Sequence, residues 1–80
     1  MPTVWSERGF LFMIHTNDHE PVHVHAYKDD GVVVLNVGDL SARKIRDMKK
    51  ADVKRAKRIV AENRALFVEK WEEIHGNSGG

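Results

Sequence analysis

Apolar residues form three short runs in the first half of the chain and recur at three- and four-residue steps in the second half. Because turn-forming residues separate the three runs, we predict β-strands at about residues 9–15, 22–28 and 32–37. A further strand at about residues 41–46 would suit the edge of the sheet, where its arginine and lysine side chains would be exposed. The pattern therefore predicts a mainly antiparallel meander of three or four strands, with residues 1–8 as a short lead-in.

The three- and four-residue steps predict one long C-terminal helix over about residues 50–75. The apolar phase continues through Asn63, which favours one helix over two shorter ones. The apolar stripe consists of Val53, Ala56, Val60, Phe67, Trp71 and Ile74, and Ile59 and Leu66 widen it. Together with the strands, this helix predicts a single α+β domain over residues 1–80, with the sheet packed on the helix.

The predicted helix is much longer than the predicted strands. At ~1.5 Å per residue it would span about 35–40 Å, whereas strands of five or six residues span roughly 17–20 Å. One end of the helix should therefore overhang the sheet and carry Phe67, Trp71 and Ile74, which are too apolar to stay exposed. Either a homodimer covers them or the N-terminal segment with Trp5 folds over them, and the pattern does not separate these alternatives.

The composition restricts the environment of the protein. With no cysteine there can be no disulfide framework and no thiolate metal site, which fits a reducing compartment. The longest apolar run, residues 9–14, is far too short to cross a membrane, and no secretory signal is visible. We therefore expect a cytoplasmic protein that does not associate with a membrane.

The net charge of +1 hides a strongly basic block in the middle of the chain. Residues 43–58 contain nine basic and two acidic residues, whereas the segments before and after this block are both net acidic. Cations at the start of a helix oppose the helix macrodipole, so helix stability alone would not favour them. The block therefore predicts an anionic partner, either nucleic acid or an acidic protein, and a plain solvated face is the alternative. The candidate nucleic-acid-binding residues are Lys50, Lys54, Arg55 and Arg58.

Three of the five histidines lie within residues 17–25, where a turn should lead into the second strand. Alternation along that strand places His23, His25 and Tyr27 on one face, and Val22 and Val24 on the other. Since the valines suit the core, the two histidines are expected on a more open face of the sheet.

Three interpretations of these histidines remain open. His23 and His25 could bind zinc or another divalent transition metal, with Asp18, His19 or His15 as further ligands. Alternatively, His19, His23 and His25 are candidate catalytic residues, because imidazole can act as a general acid or base in RNA cleavage. The third interpretation is structural, in which these polar residues shape the turn and hydrogen-bond within it.

The motif Asn-Asp-His-x-Pro-x-His-x-His occupies residues 17–25, between an apolar strand and a C-terminal helix that contains tryptophan. With this arrangement the chain resembles, over about residues 9–75, a family of short bacterial proteins known only as a domain of unknown function. Members usually have two prolines before His-x-His, whereas this chain has Val22 at the second position. The matching motif positions are Asp18, His19, His23 and His25.

Members of that family are often encoded beside another small protein, as in toxin–antitoxin pairs. The resemblance implies a protein partner and a link to RNA or DNA, but it names no catalytic residue. We therefore predict a small interaction or nucleic-acid-binding module, such as one half of a toxin–antitoxin-like pair. The alternatives are a histidine-dependent RNA-cleaving enzyme and a small metal-binding protein.

Overall fold

The computed structural model describes residues 3–15 and 21–75, which form five β-strands followed by two α-helices. The strands are β1 (Thr3–Glu7), β2 (Phe10–Met13), β3 (His23–Lys28), β4 (Gly31–Asn36) and β5 (Ala42–Arg46), and the helices are α1 (Lys50–Glu62) and α2 (Arg64–His75). Each strand pairs antiparallel with the next, so the order in the sheet follows the chain. The α+β class and the antiparallel meander are confirmed, and the fourth predicted strand corresponds to β5.

The strand β1 is absent from the sequence prediction, which treated residues 1–8 as a lead-in. It pairs with β2, with Glu7 opposite Phe10. The connecting turn consists of Arg8 and Gly9, both with positive φ (52° and 85°), and such a turn matches the twist of a tight hairpin. Arginine is not a typical residue at such a position, so the turn carries no clear sequence signal. The prediction of three or four strands is therefore wrong by at least one.

The prediction of one long helix is wrong, because Asn63 separates α1 from α2. Its φ of −123° departs from helical values, and its side-chain amide donates a hydrogen bond to the carbonyl of Ile59 at 2.8 Å. Asparagine side chains compete in this way with the backbone hydrogen bonds of a helix. The Nε of Arg64 then donates to the carbonyl of Val37 at 2.9 Å, which ties the start of α2 to the end of β4. Neither helix of the described residues is long and apolar enough to cross a membrane.

One face of the sheet packs on both helices and forms the core. Its buried members are Phe10, Phe12, Ile14, Val24, Ala26, Val33, Leu35, Val37, Ala56, Ile59, Val60, Phe67 and Trp71. The ring centroids of Phe12 and Phe67 are 5.3 Å apart, which places α2 directly on β2. The apolar positions of alternate strand residues and of the helix stripe thus meet in one layer between sheet and helices.

The described residues do not show the predicted apolar overhang. Phe67 and Trp71 have only 0% and 3% of their surface exposed, and Ile74 is half-buried against the core. Trp5 also packs against the core from β1. Because α2 is a separate helix that begins after Asn63, its apolar side packs on the sheet and does not extend beyond it. Since these side chains are already covered within one chain, they no longer give a reason to expect a homodimer.

The turn before β5 is held by hydrogen bonds to one carboxylate. Asp39 accepts the backbone N–H of Ser41 at 2.9 Å and its hydroxyl at 2.7 Å. The backbone hydrogen bond, followed by the hydroxyl one, holds the pKa of Asp39 below its ordinary value. The turn fixes where β5 begins, and β5 carries the cations Arg43, Lys44 and Arg46.

Gly31→Ala should destabilise the fold, whereas Gly38→Ala should not. A Cβ at Gly31 would overlap with the backbone carbonyl of Asp47, just after β5, and a Cβ at Gly38 would have no atom within 4 Å. We expect Gly31→Ala to lower the free energy of unfolding by about 2–3 kcal/mol, and Gly38→Ala by less than about 0.5 kcal/mol. Urea denaturation followed by circular dichroism measures both. Equal midpoints for the two variants would contradict the close approach of Gly31 to the end of β5.

Candidate functional site

We call the face of the sheet opposite the helices the open face. Two rows of side chains cross it, one with Met13, His25, Val34 and Lys44, and one with Leu11, Tyr27, Val32 and Arg46. Val24 and Ala26, which alternate with His25 and Tyr27, are fully buried on the helix side, as the sequence pattern predicts. In each row a ring of β3 lies two strands from a cation of β5, a separation of about 10 Å.

Three histidines and one tyrosine lie close together, with His25 and Tyr27 on the open face, and we call His15, His23, His25 and Tyr27 the histidine cluster. The ring centroids of His15 and His25 are 4.2 Å apart, and those of His23 and His25 are 5.6 Å apart. Tyr27 lies nearly parallel to His25 at 6.5 Å, and its hydroxyl is 3.4 Å from Nε2 of His15. The predicted pair of His23 and His25 is thus joined by His15, which the sequence suggested only as a further metal ligand.

His23 differs from the other two histidines of the cluster because it is buried. Only 6% of its surface is exposed, whereas His15 and His25 are half-buried. Its ring packs on Trp71 at 5.3 Å between centroids, and Trp71 in turn stacks on His75 at 4.1 Å. The enclosed ring of His23 therefore contributes to packing, and His15 and His25 are the imidazoles that a ligand can reach.

The Nδ1 atom of His23 faces two partners that require opposite protonation states. It lies 2.8 Å from the carbonyl oxygen of Pro21 and 2.7 Å from Nη1 of Arg43. A proton on Nδ1 can be donated to Pro21, whereas Arg43, which only donates, needs the unprotonated nitrogen. The tautomer of His23 therefore selects whether the ring is bonded to the segment before β3 or to β5.

The other members of the predicted catalytic and metal-binding sets, Asp18 and His19, lie outside the described residues. Among the residues that are described, no group of three or more histidine, cysteine, aspartate or glutamate side chains has the arrangement of a metal site. His23 is buried, and its Nδ1 atom already has partners. Zinc binding through His23 and His25 with Asp18 or His19 therefore stays a prediction.

Three cations of β5 border the histidine cluster. Arg43 contacts His23, and Lys44 and Arg46 belong to the two rows that contain the other β3 rings. All residues of β5 are exposed, and none of the ion pairs between described residues involves these cations. The sequence pattern assigned them only to an exposed edge. Their position beside the histidines follows from the register of β3, β4 and β5, which the sequence alone did not reveal.

The predicted nucleic-acid-binding residues of α1 are divided between two surfaces. Lys54, Arg55 and Arg58 line a depression of about 240 Å³, and Arg8 from the β1–β2 turn joins Arg55 and Arg58 at a second one of about 140 Å³. We call these four cations the arginine patch. Its charge is partly compensated, since Arg55 pairs with Asp52 at 3.1 Å. The patch belongs to the helix layer, so the sheet separates it from the histidine cluster.

Lys50, the remaining predicted residue, lies on the other surface. That surface is a groove of about 620 Å³ between β5 and α1, which we call the β5 groove. Its lining residues are Ile45, Met48, Lys50, Ala51, Val53, Lys54 and Lys57. The basic block of the sequence therefore contributes to three surfaces, which are the open face, the arginine patch and the β5 groove.

Comparison with known proteins identifies a family. The family whose model matches this chain is described as Domain of unknown function (DUF4160), and the match covers residues 9–72. No curated protein and no solved structure matches the chain. The matched segment begins after β1 and includes the whole histidine cluster, all of α1 and most of α2.

His23→Ala should destabilise the fold more than His25→Ala. The first substitution removes a buried ring between Arg43 and Trp71, whereas His25 is half-buried. We expect His23→Ala to lower the free energy of unfolding by about 2–3 kcal/mol, and His25→Ala by less than about 1 kcal/mol. Urea denaturation at neutral pH measures both. A His23→Ala variant as stable as the parent chain would contradict the packing role of this ring.

Proposed function

The chain belongs to the family described as Domain of unknown function (DUF4160), and we propose from its geometry that it binds single-stranded nucleic acid on the open face. One observation carries this proposal, namely that the same face presents rings and cations in shared rows. Tyr27 shares a row with Arg46, and His25 shares a row with Lys44. Bases stack on aromatic and imidazole rings, whereas lysine and arginine bind phosphates.

The surface between the rings and the cations suits an unpaired nucleotide. Val32 and Val34 of β4 lie between them and are buried, with 5% and 7% of their surface exposed, so the rings and the cations form the accessible surface. A base can therefore stack on Tyr27 or His25 while its phosphates extend towards Lys44 and Arg46 of β5. Sheets that bind single-stranded RNA combine the same three components, which are rings, an open face and cations.

The open face is a better candidate than the arginine patch, which contains three of the four nucleic-acid-binding residues that the sequence pattern predicted. In the arginine patch Arg55 already pairs with Asp52, whereas Lys44 and Arg46 form no ion pair with another described residue. The patch also offers no ring among the residues that line its two depressions, which are Arg8, Ala51, Lys54, Arg55, Arg58, Ile59 and Glu62. Since the sheet lies between the two surfaces, substitutions can test them separately.

Lys44→Glu combined with Arg46→Glu should abolish most of the affinity for single-stranded RNA. The matched control is Arg55→Glu combined with Arg58→Glu, which changes the net charge equally but alters only the arginine patch. With a fluorescein-labelled oligonucleotide, we expect the dissociation constant to rise at least roughly tenfold for the first variant and less than about threefold for the control. Fluorescence anisotropy at a fixed salt concentration measures both constants.

Tyr27→Ser completes this experiment by removing a ring without changing charge. We expect its dissociation constant to rise roughly tenfold, because stacking of one base contributes about 1–3 kcal/mol. If the control on the arginine patch loses binding and the β5 variant keeps it, the nucleic acid binds α1 instead. If Tyr27→Ser binds as tightly as the parent chain, base stacking on the open face is wrong.

A second function, RNA cleavage, is supported by the distance between His15 and His25. Their ring centroids are 4.2 Å apart on the face proposed to bind RNA. In this reaction the ribose 2′-oxygen attacks the adjacent phosphorus, and the bond from phosphorus to the next 5′-oxygen breaks. One imidazole takes the proton of the 2′-hydroxyl and a protonated one donates a proton to the leaving 5′-oxygen. The products are a 2′,3′-cyclic phosphate and a 5′-hydroxyl end.

His25→Ala should separate cleavage from binding. If the cluster is catalytic, the cleavage rate should fall at least roughly a hundredfold, because one of the two proton-transfer groups is lost. The dissociation constant for a non-cleavable 2′-deoxy oligonucleotide should change less than the rate does. His75→Ala, a histidine outside the cluster, is the control and should cleave normally. Cleavage that persists in His25→Ala, or a parent chain that binds RNA without cleaving it, would exclude this second function.

A further inference from the structure

The outer edge of β5 is exposed along its whole length. β5 is the last strand of the sheet, and within the described chain no strand pairs with its outer edge. Its apolar residue Ile45 has 52% of its surface exposed. An exposed edge with unpaired backbone groups can accept another strand.

The β5 groove extends this edge on the helix side of the sheet. Ile45, Met48 and Val53 belong to its apolar lining, and Lys50 and Lys57 are two of its three lysines. None of the residues that line it is acidic. With a volume of about 620 Å³, the groove has room for several side chains of a bound segment.

A second copy of this chain is not the expected occupant. Antiparallel pairing of β5 with its own copy would bring Arg43, Lys44 and Arg46 close to the same residues, and facing like charges destabilise a strand pair. Cations and the register shift near Val34 are features that protect an edge strand from self-association. Ile45 nevertheless remains exposed beside an apolar groove. The edge is thus unfavourable for a basic strand and favourable for an acidic one.

We propose that β5 and the β5 groove bind an extended acidic segment of a partner protein, which adds a sixth strand to the sheet. Side chains of such a strand alternate between the two faces. On the helix side, apolar residues pack on Ile45 in the groove, and terminal carboxylates meet Lys50 and Lys57. On the open face, carboxylates meet Lys44 and Arg46. The segment therefore alternates acidic and apolar residues.

A synthetic heptapeptide with blocked ends and the order Glu-Glu-Val-Glu-Val-Glu-Glu tests this proposal, because its two valines and its first and last glutamates share one face. Titrated into the isotope-labelled full chain, it should shift the NMR amide resonances of residues 42–57. Ile45→Asp, which removes the apolar contact, should raise the dissociation constant roughly tenfold, and so should Lys50→Glu combined with Lys57→Glu. The matched control, Arg55→Glu combined with Arg58→Glu, should leave the constant within about threefold.

The charge of the peptide provides a further control, because the same peptide with lysine in place of glutamate should not bind. Equal binding of both peptides, shifts confined to residues outside 42–57, or an unchanged constant for Ile45→Asp would each overturn the proposal. Self-association that Ile45→Asp abolishes, measured by sedimentation velocity, would assign the groove to a second copy instead. Tyr27→Ser should not affect peptide binding, so this proposal and nucleic-acid binding can fail independently.

Discussion

The pairing of β3 with a neighbour on each side is the constraint on which the rest of the structure depends. Because its register against β2 and β4 places Val24 and Ala26 in the core, His25 and Tyr27 must project from the opposite face, whereas His23 at the start of the strand reaches Trp71 of α2. A slip of one residue would bury the imidazoles in the apolar layer and expose the small residues that fill it. The histidine cluster and the closed core are therefore two results of the same alternation.

His23 contacts both layers of the protein. Its ring packs on Trp71 of α2, and its Nδ1 atom contacts Arg43 of β5. Its buried ring lies between Arg43 of β5 and Trp71 of α2, so one histidine of the motif supports the fold itself. The chemistry of the cluster then depends on His15 and His25, which are half-buried. This division explains how a motif rich in histidine can be partly structural and still present two neighbouring imidazoles to a ligand.

The basic block is divided among three surfaces because its residues belong to elements with different periodicities. β5 directs Lys44 and Arg46 to the open face, α1 directs Arg55 and Arg58 away from the sheet, and other lysines line the β5 groove. A count of charges along residues 43–58 cannot show this division, since a strand repeats every two residues and a helix every 3.6. The two proposed ligands, nucleic acid and an acidic segment, share Lys44 and Arg46, but only the nucleic acid needs Tyr27 and only the acidic segment needs the β5 groove.

The sequence by itself determined the α+β class, the strands β2 to β4 and the two faces of β3, because alternation and turn residues are local signals, and it offered β5 only as a possible fourth strand. It did not indicate β1, since a turn of Arg8 and Gly9 has no clear signature, or the helix break, since the apolar phase continues across Asn63. Only the tertiary structure decided that His15 joins His25 and that the cations of β5 border them. Such neighbours depend on the registers of several successive strand pairs taken together, including the shift between Val34 and Leu35, and the pattern of any one segment does not show this combination.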